Sequence, residues 1–248
     1  MACIVCGSAK MARSHIFPRA LVHEMKDGEP VVHSVDRNKT GYKNSQSGPW
    51  EPDILCESCE AKLSGCDNYA VRWVRRFDQD AVPILGGKAF DVPNPKPDLL
   101  VQFAGSVLWR ASVARHNRNT DIDLGPWEPL LRAAVFEKGE FQPKLFLARK
   151  RYVTDGVFHG SVVVQPYHAP GWSRRSYVFE LSNLLWGLKL DNRRGGDTIF
   201  DSPVVVNGKT TAIVINMGDA ELSQQHEIME IFAAAEGLVV RPQQKNPL

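Results

Sequence analysis

Hydrophobic residues recur along this chain in two rhythms. From Cys59 onward, Ala61, Leu63, Tyr69, Ala70, Trp73, Val74 and Phe77 fall at spacings of three and four, which places them on one side of a helix. A second stripe of Leu100, Phe103, Ala104, Val107, Leu108 and Ala111, and a third over 127–136, predict two more helices. β-Branched and aromatic runs then take over: 152–153, 158–164, 177–181 and 212–215 predict strands of one small sheet, with Gly156, Gly160, Asn207 and Gly208 as turn residues. A last helix is predicted over 221–236, with Ile228, Ile231 and Phe232 on one side and Gly237 as its C-terminal cap.

Pro83, Gly86, Gly87, Pro93, Pro95 and Pro97 crowd the stretch between the first two helices, and such breakers suit neither a helix interior nor a central strand. They predict a linker over 81–98, between an N-terminal module (1–80) and an α+β domain (99–248). Polar residues and glycine over 36–48 predict a long loop or an irregular hairpin.

Lys and Arg number 30 against 28 Asp and Glu in 248 residues, a net charge of +2. A chain so balanced is not a general polycation, so any nucleic-acid site must be local. The longest apolar stretch, 99–109, is broken by Gln102 and too short to span a bilayer. A metal-ligand candidate at residue 3 leaves no room for a leader peptide ahead of it. The expectation is a soluble, cytoplasmic protein without a membrane partner.

Cysteine changes the picture. Four of the five cysteines form two C-x2-C pairs, Cys3–Cys6 and Cys56–Cys59. Zinc favours four tetrahedral ligands, and two intervening residues let one tight knuckle deliver two thiolates without strain. Gly7 follows the first pair, and the second enters the predicted helix. This spacing predicts a structural Zn2+ held by Cys3, Cys6, Cys56 and Cys59 in a module of treble-clef type. The alternative is four free thiols. Cys66 is on the same helical side and reads as a buried lone cysteine.

Between the pairs runs Ser14-His15-Ile16-Phe17-Pro18-Arg19. With it the N-terminal segment resembles the HNH nuclease family, whose zinc-bearing members run C-x2-C, His-Ile-x-Pro, then C-x2-C entering a helix. The resemblance implies an endonuclease in which His15 is the general base, a divalent ion such as Mg2+ steadies the phosphate, and Glu60 holds that ion. Three positions depart from the family pattern. Ser14 stands where Asp is usual, Glu60 stands where His or Asn is usual, and no Asn lies just before Cys56, although Asn38 or Asn44 on the loop could serve. Asp67 is a second candidate carboxylate. Against these roles, Glu60 in a first helical turn complements the helix dipole, and His15 could simply pack on the knuckle.

Residues 106–113 and 124–132 are similar to the downstream region of a group of bacterial HNH-like proteins that also open with Ser-His-Ile-x-Pro and carry Glu after the last cysteine. The resemblance covers roughly residues 1–140 and suggests a setting in bacterial or phage defence. Arg72, Arg75 and Arg76 form an exposed helical row able to track a phosphate backbone, or else a solvated rim. Lys150–Arg151, Arg174–Arg175 and Arg193–Arg194 read as ordinary surface doublets, His23 and His33 as surface or loop residues. Trp109 and Arg110 read as core packing with a buried hydrogen bond. Three functions stay open: a metal-dependent HNH-type endonuclease; a catalytically silent, zinc-stabilised module that binds nucleic acid or protein, with a protein partner or second copy possible; or a toxin or inhibitor whose active surface lies in the second half of the chain.

Overall fold

A computed structural model describes residues 2–26, 28–36, 42–115, 122–137, 139–150, 153–154, 157–158, 161–168, 175–191 and 211–217. The expected helix over 221–236, its Gly237 cap, and the turn residues Gly156, Gly160, Asn207 and Gly208 lie outside them.

Two elements open the fold: the short strand β1 (Ser14–His15) and helix α1 (Arg19–Met25). A hairpin, β2 (Val32–Val35) and β3 (Tyr42–Ser45), follows where the polar stretch predicted a loop or irregular hairpin. The chain then returns in β4 (Trp50–Glu51), which pairs antiparallel with β1 so that His15 faces Trp50 across the strands. Gly48 makes the return possible: its φ is +79°, and a Cβ there would lie 3.0 Å from Val22, a conformation and a space that suit glycine.

Helix α2 (Glu57–Asp80) buries Leu63, Ala70, Trp73 and Phe77, and α3 (Pro97–Val113) buries Leu100, Phe103, Ala104, Val107 and Leu108, as the periodicity predicts. The third stripe becomes a short 3-10 turn (Gly125–Trp127) and α4 (Glu128–Phe136).

The sheet is larger than expected. Strands β5 (Val82–Ile84), β6 (Ala89–Pro93), β7 (Lys144–Arg149), β10 (Val162–His168), β11 (Ser176–Leu181), β12 (Leu184–Lys189) and β13 (Thr211–Asn216) join the hairpin in nine strands, ordered β3-β2-β10-β11-β12-β7-β13-β6-β5. The ladders β2–β10 and β7–β13 are parallel and the others antiparallel. β8 (Val153–Thr154) and β9 (Val157–Phe158) pair separately.

The stretch 81–98, expected as a linker, therefore supplies β5, β6 and the start of α3, and strands from both sides of it share one sheet. Its breakers are accommodated because β5 is an edge strand, Pro93 ends β6 and Pro97 opens a helix, the positions where a missing N–H costs least. β7 and β12 escaped the period-two reading because β12 is buried on every residue and β7 on its four central ones, so neither alternates.

The core runs without a break from the N-terminal segment into the sheet. Trp186 on β12 stacks on Phe179 (5.8 Å between centroids) and meets Trp73 of α2 and Phe103 of α3 at 6.1 and 5.0 Å. Phe17, fully buried, lies 5.8 Å from Phe179. Burying such a ring is worth roughly 1.5–3 kcal/mol, enough to pin the segment that follows His15 to the sheet.

Candidate metal centre and basic cleft

The first knuckle closes on itself, with Gly7 N–H donating to Cys3 O and Cys3 N–H to Ser8 O, both at 2.8 Å. Gly7 takes φ +76°, the left-handed position such a closure needs. Ile4 N–H donates to Ile54 O (3.0 Å), which ties this knuckle to the approach of the second pair, and Cys56 is the N-cap of α2. The four thiols of Cys3, Cys6, Cys56 and Cys59 consequently meet, every Sγ within 4.8 Å of the others. Tetrahedral zinc–thiolate bonds of about 2.3 Å set sulfurs about 3.8 Å apart, so the quartet fits a metal ion such as zinc.

Its electrostatics point the same way. The Ser58 hydroxyl and then the Cys59 backbone hold Cys56 down at about 6, while burial first, and then Cys6 and Cys56, drive Cys59 far up. The cluster cannot carry four thiolates unless a cation compensates them. Cys66 is outside this group, buried in α2 with its thiol donating to Leu63 O at 3.1 Å and burial pushing it up to about 12.

His15 sits next to this scaffold, half-buried, with its Nε2 enclosed and unpartnered. Burial, then Arg13 and Arg19, lower its pKa to about 4, a hydrogen bond to the Arg13 backbone opposes the shift, and Arg110 adds to it. The imidazole is thus neutral at pH 7, and its charged neighbours are cations. It lines a cleft of about 460 Å3 with Arg13, Arg19, His23, Lys26, Asn44 and Trp50. Arg13, two residues before His15, immediately precedes β1 and lines the same cleft. One turn of α1 separates Arg19 from His23, and Arg19 Nε donates to His23 Nε2 at 3.4 Å. Asn44 lines the same cleft, its Oδ1 2.9 Å from His33 Nδ1 on β2, and His23 is exposed on α1, at the surface as expected. Asn38 lies outside the described residues.

Ser14, fully buried, points the other way, and its Oγ donates to Glu60 Oε2 at 3.1 Å. Behind it the fully buried Arg110 of α3 donates to His15 O, to both oxygens of Asp67 (3.2 Å each) and to Ser106 Oγ (3.0 Å), and lies 3.9 Å from Glu60. Burial raises the Glu60 pKa against the opposing pull of Arg110 and Ser14. Glu60 and Asp67 therefore compensate a guanidinium, and neither lines the His15 cleft. Among the described residues the cysteine quartet is the one group of three or more potential ligands. His15, Glu60 and Asp67 are not gathered into such a group.

Arg72, Arg75 and Arg76 are exposed along α2 while Trp73 and Phe77 are buried. Arg75 pairs with Glu24 and Arg76 with Asp80 (3.1 Å), and none of the three lines the cleft. Lys150, expected at the surface, is buried and paired with Glu180 at 2.9 Å, and Arg175 donates to Asp123 O at 3.2 Å. Arg151, Arg174, Arg193 and Arg194 lie outside the described residues. A separate cleft of about 740 Å3 between α3, α4 and β7 shares no lining residue with that of His15. No helix among the described residues is long and apolar enough to cross a membrane.

Compared with known proteins, the chain matches no family model, no curated protein and no solved structure.

Proposed function

We propose that this chain is a nucleic-acid-binding protein built on a zinc-stapled, HNH-like unit, and that the cleft around His15 is its phosphate site. One observation carries the reading: Arg13, Arg19 and Lys26 gather around a neutral histidine whose Nε2 has no partner. A backbone phosphate supplies what this cleft lacks, a negative charge with several acceptor oxygens, and each contact releases condensed counterions. The antiparallel β1–β4 pair leading into α2 supports the HNH-like unit. Zinc, on this reading, is structural: it clamps the first knuckle to the N-terminus of α2 and so holds β1 in place.

The same unpartnered imidazole favours a second reading, hydrolysis of the bound phosphodiester with His15 taking a proton from water. The test is cleavage of labelled single- and double-stranded DNA and RNA with and without magnesium or manganese. Cleavage that falls at least about a hundredfold in His15→Ala, with zinc content unchanged, supports hydrolysis. Binding without cleavage under every condition supports the first reading, and absence of both contradicts the two together.

A further inference from the structure

A second cleft, of about 420 Å3, adjoins the first, and Asn44, Ser45 and Trp50 line both. Its wall is apolar, formed by Pro49, Trp50 and Pro52. Polar groups line it too: Gln165 and Ser34 are 7% and 4% exposed, and Gln165 Nε2 donates to Ser34 Oγ at 3.1 Å. Gln165 lies where β10 shifts register against β11, between Val164 and Tyr167, and such irregularities re-aim a side chain at the cost of ladder bonds. Trp50 stays 37% exposed although it is directly opposite His15, and the Arg13 guanidinium lies over its ring at 4.0 Å.

A flat aromatic wall beside an amide that both donates and accepts is a set of groups that can receive a nucleobase. Aromatic rings and guanidinium planes stack bases, and amides read their edges. The cleft is concave, and a base held in a duplex has its edge paired and its faces stacked, so it cannot enter.

We infer that this second cleft is a nucleobase subsite, which takes one unpaired base of a single strand whose phosphate occupies the cleft of Arg13, His15 and Arg19. Trp50 divides the two positions. The inference rests on the phosphate reading of the His15 cleft and adds its substrate class: single-stranded nucleic acid, DNA or RNA.

The test is fluorescence anisotropy of the full chain with a labelled single strand, as DNA and as RNA, and with the same sequence closed into a duplex. The single strand binds more tightly than the duplex. Trp50→Ala weakens single-strand binding by about tenfold or more, in keeping with loss of a stacked base, and weakens duplex binding by a clearly smaller factor, since Trp50 also lines the phosphate cleft. Trp50→Phe, which keeps a ring, restores most of the loss, and this rescue excludes a general folding defect. Preference for DNA or for RNA identifies the sugar that the subsite accepts. Equal loss on single strand and duplex, or no loss on either, overturns the subsite while leaving the phosphate site standing. Absence of binding to every probe overturns the phosphate site as well.

Discussion

Arg110 is the residue through which α3 controls the geometry at His15, and replacing it by leucine tests that role. Its guanidinium is fully buried and holds Asp67, Ser106 and the His15 carbonyl, with Glu60 at 3.9 Å. Arg110→Leu keeps much of the packing volume but strands the Asp67 carboxylate, 17% exposed, and an acceptor carbonyl. Breaking a buried pair from one side costs about 3–5 kcal/mol, because the remaining charge is desolvated without compensation. At about 2–4 °C per kcal/mol for a chain of this size, the melting temperature should fall by roughly 10 °C. Asp67→Asn added to Arg110→Leu removes the stranded charge, so the double variant should recover part of the loss, with a coupling of about 1–3 kcal/mol. Urea unfolding of the wild type, both single variants and the double variant measures every term. A loss below about 1 kcal/mol in Arg110→Leu, or a double variant no more stable than additivity allows, would refute the network.

Three further outcomes are expected. Freshly purified protein contains one zinc per chain, and Cys59→Ser loses the metal together with the fold of the N-terminal segment, since structural zinc contributes on the order of 10 kcal/mol in small modules; metal analysis that finds no zinc in the wild type contradicts this. Stability should decline in acid because of His15: its folded pKa of about 4 lies below the ordinary 6.5, so the penalty is absent above 6.5 and grows as pH falls toward 4. At 1.36 kcal/mol per pH unit the full shift is about 3 kcal/mol, reduced to roughly 1–2 for this half-exposed group; His15→Ala should flatten the window, and an unchanged urea profile in that variant contradicts the assignment. Arg72→Glu should leave oligonucleotide affinity within about twofold at moderate salt, because Arg72 is exposed on α2 and outside the cleft; a loss of tenfold or more would move the binding face to α2.

Much of this arrangement was legible in sequence because local spacing carries it. The helical stripes of α2 and α3 and the two C-x2-C pairs are short-range patterns, and the thiols meet as that spacing expects. The buried hydrogen bond expected of Arg110 is present, but its partners Asp67 and the His15 carbonyl lie 43 and 95 positions away. No periodicity reports a tertiary contact of that range, so the pairing of Glu60 and Asp67 with Arg110 could not be read from the sequence. Trp50, likewise, is brought opposite His15 only by the pairing of β4 with β1, which no local pattern reports. Of the cleft cations, Arg13 and Arg19 lie within four residues of His15 in sequence, so their proximity to it was within reach of local reasoning.

The central claim is that the His15 cleft binds nucleic-acid phosphate, and the most direct measurement is the salt dependence of oligonucleotide affinity in the wild type and in an Arg13→Glu, Arg19→Glu, Lys26→Glu variant. Each phosphate contact contributes about 0.7 to the slope of log K against log salt on a single strand, so removing three cations should lower the slope by about 2 and the affinity at low salt by a hundredfold or more. A wild type that binds no oligonucleotide, or a triple variant with the wild-type slope, would contradict the account.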